Sequence, residues 1–208
     1  MTKIKICGIT NLKDAQTCGR LGADLLGFVF FKKSKRAISP GKAKAITAKL
    51  PKNIAKVGVF VNESPAVVKR IAWQCRLDVL QFHGDEDAAY LKEFKNFRVI
   101  KAVRVNGPEA LKSLDAFGPA TLLFDTFSRK SYGGTGKVFD WALLKRLKKR
   151  KKAFFVSGGL TPDNVSSLLE KIRPYGVDVS GGVEQTPGKK DHRLVKKFIN
   201  NARSHLGH

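Results

Sequence analysis

Cysteine is scarce in this chain: three of 208 residues, at positions 7, 18 and 75, with no CxxC spacing and no partnering histidine pattern. That argues against a structural zinc site or a disulfide framework and fits a reducing, cytoplasmic setting. No apolar run approaches the roughly eighteen residues of a membrane-spanning helix. The opening MTKIKICGIT lacks the long apolar stretch and cleavage site of a secretory signal. The pattern GxxxxGK[ST] is missing as well, which excludes a Walker-type loop.

Acidic residues are few. Seventeen Asp and Glu stand against 40 Lys and Arg, a formal net charge of +23. Such a chain attracts anions in general, whether phosphate esters, nucleic acid or acidic lipid. The densest basic run, KRLKKRKK at 145–152, has no interleaved aromatics on which bases could stack. It follows FDWALLKRL, whose apolar residues recur at helical spacing, and cations suit the negative end of a helix dipole. The run reads as a solvated helix end, so no nucleic-acid or membrane partner is expected.

What the chain does have is alternation. Apolar, β-branched or aromatic runs at 3–7, 24–31, 55–61, 77–82, 97–103, 120–126, 153–157 and 176–180 are separated by longer amphipathic stretches. Helix starts are marked by Thr10-Asn11 and by a capping hydroxyl before proline at Ser39-Pro40, Ser64-Pro65 and Thr161-Pro162. The fifth helical segment, GPEALKSLDAFG, is the weakest. Eight strand–helix units averaging about 26 residues predict an α/β fold, a single (β/α)8 TIM barrel, with residues 1–208 as one domain. A doubly wound open sheet has no reason to stop at eight units.

In such a barrel, chemistry sits at the C-terminal strand ends. Those ends are Cys7, the loop after Phe31, Glu63, His83, Arg104, Asp125, Gly158-Gly159 and Ser180. Asp125 follows Leu-Leu-Phe, where an unpaired carboxylate is costly to bury, so it is a candidate functional group. Cys7 by itself reads equally well as a small buried hydrophobe. Opposite Asp125 across one barrel mouth, it becomes half of a candidate acid–base pair around a small substrate. VSGGLTPDNV and DVSGGVEQTPG place paired glycines after strands 7 and 8, where barrels usually bind phosphate on backbone N–H groups. The loop SRKSYGGTGKVFDW after Asp125 is too long for a plain connection and reads as a mobile lid or substrate loop.

Taken together, KICGIT, GADLLGFVFF, VGVFVNE, LDVLQFHGDE, LLFDT, GGTGKVFDW, SGGLTPDNV and GVDVSGGVEQTPGKKD resemble the phosphoribosylanthranilate isomerase family of tryptophan biosynthesis, from residue 3 to about residue 198. The resemblance implies an Amadori rearrangement of an aminoaldose phosphate to the aminoketose, with Cys7 as general base and Asp125 as general acid. It implies no metal and no organic cofactor, because the protonated imine is itself the electron sink. Arg36 would face the anthranilate carboxylate through bidentate pairing, and His83 and Asp178 would line the pocket. Gly158, Gly159, Ser180 and Gly181 would hold the phosphate. The expected partner is the small phosphosugar–anthranilate substrate, and the chain would be a monomer or a homodimer.

The two groups need opposite surroundings. Asp125 has to hold a proton at neutral pH, which an apolar setting favours. Cys7 has to be partly thiolate, which needs nearby positive charge. The basic loop FFKKSKRAIS could supply it, through Arg36 or a neighbouring lysine. Two departures from the family pattern stand out: Ser34-Lys35-Arg36 where Ser-Pro-Arg is usual, and Ser180-Gly181-Gly182 where Ser-Ser-Gly is usual. Neither touches the acid or the base. Among other phosphosugar barrels, the histidine-pathway isomerase would place an aspartate where Cys7 stands, and indole-glycerol-phosphate synthase would need a mouth rich in Lys and Glu.

Overall fold

The computed structural model describes residues 1–112, 114–126, 139–149 and 153–204, with side chains 146–149 left aside. Eight parallel strands close into a barrel in chain order. They are β1 (Lys3–Cys7), β2 (Leu25–Val29), β3 (Ala55–Phe60), β4 (Val79–Phe82), β5 (Arg98–Val105), β6 (Thr121–Thr126), β7 (Phe154–Val156) and β8 (Gly176–Val179). The expected strands and the closed α/β barrel are all present. Closure comes at the β1–β8 seam, where Lys5 lies opposite Asp178.

Strands covered on both faces are apolar almost throughout, and β2, LLGFV, is buried at every position. Alternate residues divide between the two faces. Outward side chains such as Ile4, Ile6, Leu26, Phe28, Leu80 and Phe124 pack beneath the helices. Inward ones form a separate apolar layer from Leu25, Val57, Val79, Ile100, Ala102, Leu123 and Phe155. Nearer the C-terminal strand ends the inward positions turn polar: Lys5, Gln81, Asp125 and Asp178, all buried.

Local chemistry sets most helix starts. Helix α1 (Leu12–Arg20) begins at Asn11, whose side chain accepts from the Asp14 N–H. Helix α2 (Pro40–Thr47) opens with Ser39 accepting from the Lys42 N–H, and α3 (Pro65–Cys75) opens after an extended Ser64 that makes no side-chain cap bond. Asp87 caps the short α4 (Ala88–Lys92). The weak fifth segment is a pair of 3-10 turns, Pro108–Leu111 and Leu114–Phe117. A further 3-10 segment, Trp141–Lys149, precedes β7.

Two expectations need correction. Thr161-Pro162 opens a turn that leads into α5 (Val165–Lys171), with the Thr161 hydroxyl accepting the Asp163 N–H at 3.3 Å and its carbonyl the Val165 N–H at 3.2 Å, so the regular helix starts later than expected. The stretch after β8 is more than a glycine loop. It forms a 3-10 turn, Gly181–Val183, and a hairpin of β9 (Glu184–Thr186) and β10 (Lys189–Lys190) before α6 (His192–Ser204). Most of the expected lid (128–138 of 128–141), residues 150–152 of the basic run and its side chains at 146–149 lie outside the described residues. Among the described residues no helix is long and apolar enough to cross a membrane.

Phe82 is fully buried, with its ring 4.8 Å from Phe94, 5.3 Å from Tyr90 and 6.3 Å from Phe60. Phe82→Ala should therefore cost about 3–5 kcal/mol. Urea denaturation would show this as a lower midpoint at an unchanged slope.

Candidate active site

Strand periodicity puts Lys5 and Cys7 on one inward face of β1. The thiol has room because Gly27 lies beside it: a Cβ at Gly27 would stand 2.7 Å from Cys7 Sγ. Lys5 is fully buried, and its Nζ is 2.9 Å from Asp178 Oδ1. A second ammonium arrives from β10. Lys190 Nζ donates to the Cys7 carbonyl at 2.6 Å, to Glu184 Oε1 at 2.8 Å and to the Ser180 carbonyl at 3.3 Å. Arg36, from the loop after β2, is gripped by the same Glu184 through Nε at 2.9 Å and Nη2 at 2.7 Å.

This changes the source of positive charge at Cys7. Burial has the largest effect on the thiol and pushes it above its ordinary value, while Lys5 pulls it back most, Asp178 adds to the push and Lys190 pulls again. Lys5 is the chief cation at the sulfur, in the role expected of Arg36 or a neighbouring lysine of its loop, and the Arg36 guanidinium is bonded to Glu184. Lys5 itself stays charged: burial disfavours the ammonium, but Asp178 and Cys7 outweigh that and raise it. The ion pairs around these strand ends bring together three cations, Lys5, Arg36 and Lys190, and two carboxylates, Asp178 and Glu184. A thiolate at Cys7 would make that group neutral.

Asp125, on β6, is set differently. Its Oδ1 accepts the Thr126 N–H at 2.8 Å, and its Oδ2 is 3.0 Å from His83 Nε2. His83 Nδ1 is in turn 3.0 Å from Gln81 Nε2. His83 thus stands at the candidate acid, whereas Asp178 is the counter-ion of Lys5.

The phosphate candidates lie at the ends of β7 and β8. Gly158 has φ +84°, and a Cβ there would stand 2.3 Å from Thr126 Oγ1 and 2.8 Å from Asp125 Oδ1. Only glycine lets this loop close over the carboxyl. Ser180 donates its hydroxyl to the Cys7 carbonyl at 3.0 Å, tying the loop after β8 to the end of β1. No hydrogen bond from the N–H of Gly158, Gly159 or Gly181 is found among the described residues.

Sequence reasoning missed Lys5, Lys190, Glu184 and Gln81. Lys5 and Gln81 were open to it, since each lies two residues before a named candidate and so on the same strand face. Lys190 and Glu184 carried no such signal, because the hairpin that brings them in is too short to show periodicity. Among the described residues no group of three or more His, Cys, Asp or Glu is arranged to hold a metal ion.

The family model for N-(5'-phosphoribosyl)anthranilate isomerase matches residues 4–201. The N-(5'-phosphoribosyl)anthranilate isomerase of Trichlorobacter lovleyi is 45% identical over 206 residues, which is 99% of this chain and 100% of that one. The crystal structure of phosphoribosyl anthranilate isomerase from Thermotoga maritima superposes with a TM-score of 0.93 at 43% identity, over 98% of this chain and 100% of that one. Another similar structure (TM-score 0.90, 42% identity, 98% of this chain and 100% of that one) is a phosphoribosyl anthranilate isomerase in complex with reduced 1-(o-carboxyphenylamino)-1-deoxyribulose 5-phosphate.

Two measurements test the charge cluster. Alkylation of Cys7 followed against pH should move to a higher midpoint in Lys5→Met/Asp178→Asn, because Lys5 pulls on the thiol more than Asp178 pushes. Arg36→Ala should move it less. For Glu184, burial pushes the carboxyl up, but Arg36 and Lys190 outweigh it and hold the group low. A carboxylate held low stabilises the fold above the ordinary range near pH ~4.3, and that contribution is lost as pH falls through the depressed value. Glu184→Gln should therefore be clearly less stable than wild type at neutral pH, with the gap closing in acid.

Proposed function

The chain belongs to the N-(5'-phosphoribosyl)anthranilate isomerase family, and from that premise we propose that Cys7 is the base and Asp125 the acid of its reaction. The enzyme serves tryptophan biosynthesis by an Amadori rearrangement. N-(5'-phosphoribosyl)anthranilate, an aminoaldose, becomes 1-(2-carboxyphenylamino)-1-deoxyribulose 5-phosphate, the aminoketose. We read all 208 residues as one barrel domain.

Asp125 gives its proton to the furanose ring oxygen. The bond from that oxygen to C1 breaks, and the anthranilate nitrogen lone pair forms the protonated Schiff base. The Cys7 thiolate then removes the C2 proton, and the electron pair moves through C1 onto nitrogen to give an enolamine. Ketonisation puts a proton on C1 and releases that of the C2 hydroxyl, which together restore thiolate and carboxylic acid. Burial disfavours the thiolate, Lys5 and Lys190 favour it, and the cationic nitrogen formed on ring opening adds to their pull before C2 is deprotonated.

The observation that carries this assignment is the pair itself. Cys7 closes β1 and Asp125 is the last residue but one of β6, both buried on the inward face of one mouth, in unlike surroundings. One is ringed by charge and the other is bonded to an imidazole and a backbone N–H, the separation that acid–base work demands. Arg36 would take the anthranilate carboxylate through Nη1, which makes no hydrogen bond among the described residues, while Glu184 holds the rest of the guanidinium. The N–H groups of Gly158, Gly159, Ser180 and Gly181 would carry the phosphate. His83 would orient Asp125, and Asp178 would hold Lys5.

Loss of phosphoribosylanthranilate fluorescence, with substrate made in situ, tests the reading. Wild type should turn over, and Cys7→Ser and Asp125→Asn should each lose about 10²–10⁴-fold. A variant that keeps its rate would remove that residue from its role.

A further inference from the structure

Gln81 sits inside the barrel on β4, 1% exposed, where an apolar residue would continue the core. Its Nε2 faces His83 Nδ1 at 3.0 Å, and nothing donates to its Oε1 among the described residues. A buried amide with an orphaned acceptor is unfavourable for packing alone. Its hydrogen bonding is directed at His83, and through His83 at Asp125. An N–H can be donated to a ring nitrogen only while that nitrogen keeps its lone pair. An amide N–H given to Nδ1 would thus go with a neutral imidazole whose one proton is on Nε2, facing Asp125 Oδ2.

We propose that Gln81 is a positioning residue for the acid: it holds His83 as the neutral Nε2–H tautomer, so that Asp125 meets a neutral donor and not an imidazolium. This rests on Asp125 being the acid, as proposed above. An imidazolium at 3.0 Å would keep the carboxylate permanently ionised and unable to deliver a proton. A neutral N–H leaves other lone pairs of the carboxyl free to carry the proton. After transfer to the ring oxygen, the carboxylate still accepts from His83 and from the Thr126 N–H. One proton leaves Asp125, and His83 keeps its own throughout.

The test uses the full chain with ¹⁵N-labelled histidine, reading the His83 ring nitrogens at neutral pH alongside kcat and KM. Wild-type His83 should be neutral and protonated at Nε2. Gln81→Glu, whose carboxylate invites a proton onto Nδ1, should protonate both nitrogens and lower kcat about 100-fold with KM little changed. Gln81→Met, which removes the amide without adding charge, should release the tautomer and lower kcat about tenfold. The proposal is overturned if wild-type His83 is an imidazolium or the Nδ1–H tautomer, a spectrum that needs no variant to fold. It is also overturned if the variants keep the wild-type kcat, or if kcat falls while the His83 spectrum stays unchanged. Asp125→Asn retaining its turnover is a separate outcome, and it would overturn the acid assignment instead.

Discussion

The site depends on a buried ammonium at the barrel seam. Lys5 and Asp178 face each other across the β1–β8 pairing that makes the barrel a closed ring, with no access to solvent for the lysine. Removing one partner of such a pair leaves an uncompensated buried charge, at a cost of about 3–5 kcal/mol. Barrel closure and the electrostatics of Cys7 are therefore one constraint: the register that joins β1 to β8 also sets a cation beside the thiol. Two further cations and one carboxylate gather at the same strand ends, so the group lacks one negative charge, which a thiolate at Cys7 would supply.

The Asp125 side is built on the opposite principle. Gln81, His83 and Asp125 form a line of hydrogen bonds, with no lysine or arginine bonded to any of the three among the described residues. The segment just after His83 is pinned from behind. Glu86 accepts the Asn62 and Gly84 N–H groups, and buried Lys101 binds both Glu86, at 2.9 Å, and the Gly84 carbonyl, at 2.7 Å. Burial disfavours the charged form of Lys101 more than Glu86 supports it, so the lysine is held below its ordinary value. This anchor uses charge outside the barrel wall to keep the polar chain inside it in place.

The hairpin after β8 joins the halves of the basic side. The Lys190 N–H donates to Asp14, which also accepts from Asn11 and His192, so the hairpin is fastened to the start of α1. From that anchor Lys190 reaches the Cys7 carbonyl and Glu184 reaches Arg36. The net charge of +23 thus has a small buried part with a defined task. Lys5, Lys101 and Lys190 are buried and paired, and most of the remaining cations lie outside the core.

Eight apolar runs with amphipathic segments between them, capped at Asn11 and Ser39, determined the barrel, because strand burial and capping act over a few residues of neighbouring chain. Placing Cys7 and Asp125 at strand ends needed only that alternation and the rule that barrel chemistry gathers there. Partner choice was another matter. Lys5 meets Asp178 at a separation of 173 residues, Arg36 meets Glu184 at 148, and Lys190 meets Cys7 at 183. No local pattern encodes contacts over such distances. The helix marked at Thr161 becomes regular only at Val165, after a turn in which the Asn164 side chain binds the Gly159 carbonyl, a loop contact that a capping pattern does not show. Sequence alone determined which groups reach the mouth. Tertiary structure decided which charge faces which, because ion pairs form wherever closure of the barrel brings opposite charges together out of water.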